Sequence, residues 1–300
     1  MRILVSGANG FIGRHLVPVL KRNGHDVFAP TRGADGSPFD LGTVAEWTGW
    51  PKDLDAVIHL AALNPSRTDP RSKDVAALHR VNVEGTRLLA GRAAAEGVGR
   101  FLFLSTANVH RPKGTVCVTE ADAPLPQSAY AASKLAAEGV LREIGDVWPM
   151  AVCVLRPAPV HGIGGRGAMG VLTRLARLPF PVPGGSLQRR SVLGIDNCVD
   201  AIAAALVHPA AAGETFLLTD PEPLAVGEMI AAMRSGIGRR TWRVPAVPLP
   251  ERLMAGAGNR SGLIHQIFGS FVIDASRIER RLGWRPPLST AEGLAKAMRP

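Results

Sequence analysis

The chain is poor in several things at once. Only 5% of its 300 residues are aromatic, and just one of them is a tyrosine, Tyr130. There are three cysteines, Cys117, Cys153 and Cys198, far apart and with no Cys-x-x-Cys pair. The odd number and the spacing argue against a disulfide framework. No cluster of His, Cys and Asp has metal-ligand spacing, so no metal is expected. No apolar run reaches the roughly 18–20 residues of a membrane helix, because Arg, His or Pro breaks the longest candidates. The N-terminus enters a strand-like run at once, Arg2 to Val5, without a charged stretch followed by a long apolar one. No signal peptide and no membrane partner are therefore expected, and the cytoplasm is the expected location.

What is present points to a packed enzyme-sized chain. A hydrophobic share of 46% supplies a real core and excludes a disordered or fibrous polymer. Glycine (33) and proline (24) are abundant but follow no fixed period, which excludes collagen-like and low-complexity readings. The net charge of +10 is compatible with an anionic partner. The basic residues are scattered, however, with only short pairs such as Arg189-Arg190, Arg239-Arg240 and Arg280-Arg281. With no basic tail and few aromatics between them, nucleic acid is not an expected partner.

The first 160 residues alternate short β-branched runs with helical patterns. The strands are expected at Ile3–Ser6, Val27–Ala29, Ala56–Leu60, Phe101–Ser105 and Ala151–Arg156, the helices at Phe11–Asn23, Asp74–Gly97 and Ser128–Ile144. This βαβ alternation predicts an α/β fold, a Rossmann-type doubly wound parallel sheet. Farther on, Ser191–Ile195 and Thr215–Leu218 read as strands flanking a helix at Asp196–His208, and the pair is expected to return to the sheet. The rest, rich in proline and glycine, reads as a small mixed C-terminal domain for substrate. The division expected is 1–160 with 191–220 for the dinucleotide, and 161–190 with 221–300 for the substrate.

Residues 3–13 read ILVSGANGFIG, a strand running into Gly7-x-x-Gly10-x-x-Gly13 and then an amphipathic helix. Glycine at these places permits a tight turn, close approach of backbone to a pyrophosphate, and close helix–strand packing. The helix N-terminus turns its amides and positive dipole end toward the phosphates. The second strand runs through Pro30 into Thr31-Arg32, and Thr31 stands where NAD binders carry an acid for the ribose hydroxyl. An arginine there suits a 2′-phosphate, so NADP is favoured over NAD. Asp40-Leu41 is a candidate frame for the adenine.

Tyr130 is followed four residues later by Lys134, in a chain with only six lysines. On a helix those positions share a face. A nearby ammonium favours phenolate, which is expected to lower the Tyr130 pKa and make it a general acid/base for a carbonyl/alcohol pair. Upstream, the strand Phe101–Ser105 ends in two hydroxyls, and Ser105 and Thr106 are both candidates to hold the reacting oxygen. His110 and His161 are read as solvated or capping loop histidines.

Gly7-Ala-Asn9-Gly10-Phe11-Ile12-Gly13, His59-Leu60-Ala61-Ala62, Asn82-Val-Glu-Gly-Thr86, Ser105-Thr106, Tyr130-x-x-x-Lys134 and Arg156-Pro157 follow one another in an order and spacing that resembles the extended short-chain dehydrogenase/reductases, the epimerase/dehydratase family of nucleotide sugars. Arg189–Asn197 and Phe271–Trp284 resemble that family's C-terminal segments. The resemblance implies that the glycine turn and Leu60, Ala61 and Ala62 bind the cofactor together with Tyr130, Lys134 and Pro157. It implies Thr106, Asn108 and Tyr130 on the sugar and Arg190 on the diphosphate, with Asn82 supporting the active-site backbone. It also implies a homodimer through the Tyr-bearing helix and the one before it.

Departures narrow the expectation. The acidic pair that follows the catalytic threonine in the family's dehydratases is replaced by Ala107 and Asn108, which excludes elimination. The family's second diphosphate arginine falls at Ile264, with Arg260 as a candidate substitute. The reading is an NAD(P)-dependent reductase of a 4-keto nucleotide sugar, UDP-linked and of the N-acetyl-6-deoxy class. Its rivals are a 4-epimerase with tightly held NAD, a reductase of a non-nucleotide carbonyl compound, and a non-catalytic dinucleotide-binding regulator.

Overall fold

The computed structural model describes residues 1–30, 39–65, 69–114, 116–165, 167–184, 188–245 and 269–299. The strands are β1 (Arg2–Ser6), β2 (Asp26–Phe28), β3 (Ala56–His59), β4 (Arg100–Leu104), β5 (Ala151–Pro157), β6 (Val160–His161), β7 (Val182–Gly184), β8 (Leu193–Gly194), β9 (Thr215–Leu218) and β10 (Arg243–Pro245). Six of them form one sheet in the order β2-β1-β3-β4-β5-β9, with every pair parallel. The chain winds outward from β1 to β2 and then crosses back to β3 on the other side of β1. The crevice at the carboxyl ends of β1 and β3 is thus the switch point where such sheets bind ligands.

Side-chain alternation builds both faces of the sheet. Ile3, Val5, Ile58, Leu102, Cys153 and Leu155 join one apolar cluster, whose helical members include Leu16, Leu20, Cys198 and Ile202. Leu4, Val57, Phe101, Phe103 and Val154 join the other, with Leu89, Ala90, Ala137 and Leu141. The first layer contains α1 (Gly13–Arg22) and α6 (Ile195–Val207); the second contains α3 (Gly85–Ala95) and α4 (Ala129–Val147). Ser6, His59, Ser105 and Arg156 continue the phase of Leu4, Val57, Phe103 and Val154. All four therefore turn toward α3 and α4.

Local chemistry sets the helix ends. Ser128 caps α4 by accepting from the Ala131 amide at 3.2 Å. Asp74 caps α2 (Val75–His79) through the Ala76 amide at 2.9 Å. The long helix expected over Asp74–Gly97 is continuous from Val75 to Ala95, with a wide π turn at Arg80–Glu84 between α2 and α3. The turn is held by Asn82 and Thr86, whose side chains have partners off the helix.

A third cluster lies apart from the sheet. Met169 and Leu172 of α5 (Gly167–Ala176), Val226, Met229, Ile230 and Met233 of α7 (Val226–Ser235), and Leu294 of α9 (Thr290–Lys296) pack together with Val182 and Val192. Strands β7 and β10 pair beside it. The last described helix before α9, α8 (Ser276–Leu282), returns to the sheet cluster through Ile278.

One expectation needs correction. Thr215–Leu218 does join the sheet, beside β5, but Ser191–Ile195 does not. Leu193–Gly194 pairs only with Val160–His161, and Ile195 already begins α6. The Gly194 amide is taken by the Asp220 carboxylate at 2.9 and 3.0 Å, which ends strand pairing at that residue.

Candidate active site

The turn after β1 is built around close backbone contacts. Gly7 has φ +75° and its carbonyl accepts from the Gly10 amide at 2.8 Å. A Cβ at Gly7 would stand 2.6 Å from the Ala61 nitrogen, and one at Gly13 would stand 2.5 Å from the carbonyl oxygens of Gly7 and Ala8. Helix α1 begins at Gly13 with no side-chain cap and no acid in its first turn. Among the described residues, no backbone carbonyl accepts from the amides of Phe11, Ile12 or Gly13. A turn with glycine at Gly7, Gly10 and Gly13, ending in unengaged amides at a positive helix end, fits a dinucleotide pyrophosphate. Asn9 is exposed beside it, while Leu60, Ala61 and Ala62 line the facing exit of β3.

A buried relay ties that turn to β3 and α3. Ser6 Oγ lies 2.5 Å from His59 Nδ1, and His59 Nε2 lies 3.0 Å from Thr86 Oγ1. Thr86 gives its own proton to the Asn82 carbonyl at 2.6 Å, so it can only accept from the ring. His59 is then the neutral Nε2–H tautomer and accepts from Ser6. Burial, aided by the Lys134 charge, pushes its pKa down to about 3, in keeping with a neutral structural ring. Asn82 grips the β3 exit loop from both sides, accepting from the Leu63 amide at 2.7 Å and donating to the Leu63 carbonyl at 3.1 Å. It also donates to Ser133 at 2.9 Å, whose hydroxyl donates to the Tyr130 carbonyl at 2.8 Å.

Tyr130 and Lys134 stand one turn apart on α4. Tyr130 is half-buried and packs on the cluster of Leu63, Ala77 and Leu78 at the mouth of the crevice. Lys134 is 1% exposed, and its Nζ lies 3.9 Å from the centroid of the Phe103 ring on β4. The expectation that the ammonium lowers the tyrosine is not met. Burial pushes the Tyr130 phenol up to about 12, and burial pushes Lys134 down to about 7, against a smaller raising effect of Glu138. In these apolar surroundings desolvation disfavours the charged form of each group.

The two hydroxyls after β4 part company. Thr106 Oγ1 accepts from the Asn108 amide at 3.2 Å, and Asn108 itself is exposed. Ser105 is instead committed to the Glu138 carboxylate, because its strand phase turns it toward α4. It is therefore withdrawn as a ligand for the reacting oxygen. Pro157 is buried at the end of β5. The two histidines read as solvated or capping are both buried. His110 accepts from Arg156 Nη1 at 2.9 Å, and His161 lies 3.2 Å from Asp220.

The remaining candidates are more dispersed. Asp40 is exposed and accepts from the Gly42 amide at 2.7 Å, while Leu41 packs against Gly85. Arg190 is 8% exposed, donates to the Gly269 carbonyl at 2.8 Å, and stacks over Phe271 with 5.7 Å to the centroid. Burial lowers its pKa to about 10. Thr31, Arg32, Arg260 and Ile264 lie outside the described residues. Glu138 and its partner Arg156 escaped the reading of site residues. The signal was available in part, since Glu138 follows Lys134 by the same four residues that separate Lys134 from Tyr130.

Comparisons with known proteins place the chain in a family. The chain matches the model of the NAD dependent epimerase/dehydratase family over residues 3–218. It is 31% identical to a UDP-glucose 4-epimerase of Vibrio cholerae, covering 97% of this chain and 93% of that one. It is 30% identical to a 2-alkyl-3-oxoalkanoate reductase of Stenotrophomonas maltophilia, covering 99% and 98%. Among solved structures, RMD of Pseudomonas aeruginosa in complex with NADPH superposes with a TM-score of 0.77 at 22% identity, covering 99% of this chain and 98% of that one.

Proposed function

This chain belongs to the NAD-dependent epimerase/dehydratase family, and from that premise we propose that it reduces a 4-keto group on a nucleotide sugar, UDP-linked and of the N-acetyl-6-deoxy class, with NADP as the preferred cofactor. The observation that carries the reading is the convergence at the carboxyl ends of β1, β3, β4 and β5. There the Gly7 turn, Thr106 and Pro157 stand at the ends of strands of one parallel sheet, Tyr130 packs on Leu63 beyond β3, and Lys134 lies over Phe103 of β4. A bound nicotinamide dinucleotide supplies the hydride. Thr106 holds the sugar oxygen, and Tyr130 delivers its proton to that oxygen as the hydride arrives. A phenol held at about 12 keeps its proton at neutral pH, as a general acid must. Lys134 orients the cofactor ribose and gains a polar partner there, which offsets its burial.

The preference for NADP rests on Arg32. Arg190 and the unit built from α5, α7 and α9 are read as the substrate side of the cleft. Purified protein should consume NADPH when given a UDP-4-keto sugar, and should be stabilised by NADP and by UDP in a thermal-shift screen. Absence of turnover with every keto sugar tried would remove the reading.

Two alternatives draw on specific likenesses. The epimerase of Vibrio cholerae favours a 4-epimerase, which uses the same residues and needs no net reductant. Tightly retained NAD on the purified protein would decide for it. The reductase of Stenotrophomonas maltophilia favours a non-nucleotide carbonyl substrate. Stabilisation by NADP with none by any nucleoside diphosphate would decide for that.

A further inference from the structure

One turn beyond Lys134 on α4, and two beyond Tyr130, stands Glu138. It is 3% exposed, and its carboxylate bridges α4 to the carboxyl ends of β4 and β5. Ser105 donates to Oε1. Arg156 donates to Oε1 through Nε at 3.1 Å and to Oε2 through Nη2 at 2.5 Å, a two-pronged pair inside the protein. The third arm of Arg156, Nη1, reaches His110 Nε2. Ser105 immediately precedes Thr106, and Arg156 immediately precedes Pro157. One carboxylate on α4 thus ties down the two strand ends that present Thr106 and Pro157.

Stability alone does not explain such a pair. Replacing a buried ion pair by apolar side chains of similar volume is often neutral or favourable, because desolvation offsets the attraction. Its geometry must serve something an apolar pair could not, and two features of the site answer to that. A forked pair fixes direction as well as distance, which sets the register of α4 against β4 and β5. Glu138 also follows Lys134 by one helical turn, so the two buried groups share a face of α4. The groups around Lys134 are otherwise Tyr130 on α4, the neutral His59 on β3 and the Phe103 ring on β4. Those facing Glu138 are Lys134 on its own helix, Ser105 on β4's exit, Arg156 on β5 and, through Arg156, His110.

We propose that Glu138 is a positioning residue, which aligns Thr106 and Pro157 with the Tyr130/Lys134 face and serves as the counter-charge of the Lys134 ammonium. The alignment half rests on the proposed function; the counter-charge half does not. The smaller raising effect of Glu138 on Lys134 has the sign this requires.

The test uses Glu138→Gln and the paired variant Glu138→Gln/Arg156→Met, the second of which leaves no uncompensated buried cation should the first fail to fold. The titration of Lys134 is read by NMR in protein carrying labelled lysine, its signal among six identified by its loss in Lys134→Arg. In the paired variant, which also withdraws the Arg156 cation, its midpoint should fall less than in Glu138→Gln, where it should move to lower pH by about one unit or more, the scale of an opposite charge withdrawn from a nearby site. The paired variant should lose at least about tenfold in kcat, with KM for the carbonyl substrate changed less. Glu138→Asp should recover part of that loss. An unmoved Lys134 midpoint overturns the counter-charge. An unchanged kcat in a variant whose Lys134 has shifted overturns the alignment. Were the wild-type protein to turn over no carbonyl compound, the proposed function would fall while the NMR result still judged the counter-charge.

Discussion

Three glycines allow the close approach at the phosphate turn to be measured apart from backbone strain. Gly24 has φ +81° and open space where a Cβ would go. Gly13 opens α1 without a positive φ, but its Cβ would meet two carbonyl oxygens at 2.5 Å. Gly7 has both burdens, φ +75° and a Cβ 2.6 Å from the Ala61 nitrogen. Gly24→Ala should cost about 1 kcal/mol, from a left-handed penalty of roughly 1–2 kcal/mol partly offset by a stiffer unfolded chain. Gly13→Ala should cost roughly 1–3 kcal/mol of overpacking, since the obstructing atoms are backbone and cannot rotate away. Gly7→Ala should combine the two, at roughly 2–4 kcal/mol. In a chain of this size each kcal/mol lowers Tm by about 2 °C. Calorimetry of the three variants should therefore rank Gly24→Ala least and Gly7→Ala greatest, and isothermal titration with NADP should show binding weakened only in Gly7→Ala and Gly13→Ala. Equal Tm losses at Gly7 and Gly24, or undiminished NADP binding by Gly7→Ala, would refute the claim that this turn is shaped for backbone contact with a ligand.

Tyr130→Phe removes the proton donor while leaving its ring on Leu63, Ala77 and Leu78, so kcat should fall about 10²–10⁴-fold with Tm and cofactor affinity little changed. An equal kcat would remove Tyr130 from the chemistry. Lys134 carries a pH signature in the cofactor-free protein. Its pKa falls from 10.5 to about 7 on folding, so between those values the unfolded chain binds a proton that the folded chain does not. Stability from this group therefore rises with pH across that window and is flat below it. Lys134→Met should flatten the rise, as read by Tm against pH; an identical slope in the variant would contradict it. Asn82→Ala strips three hydrogen bonds from the β3 exit and α4, at a cost of roughly 2–4 kcal/mol. Chemical denaturation should register that loss, whereas a merely solvated Asn82 would show none.

Much of the fold was legible because it is written locally. Short unbroken apolar runs mark β1, β3, β4 and β5, and the two-residue period of a strand also states which face its end will present. Ser128 and Asp74 announce helix starts, and the glycine spacing after Ser6 announces the turn. The four-residue step from Tyr130 to Lys134 places both on one helical face before any coordinates exist. These signals depend on neighbours within one or two turns of chain, so reading along the sequence suffices.

What the tertiary structure decided depends on separation and burial. Ser105 looked like a ligand for the reacting oxygen until its partner was visible, 33 residues away on α4. The Glu138–Arg156 pair spans 18 residues and the Asp220–Gly194 contact 26, and neither leaves a local pattern. The protonation of Tyr130 and Lys134 was misjudged for the same reason. Spacing shows that two groups share a helical face, but only packing shows how much water has been excluded from each, and here that exclusion sets the direction in which both shift.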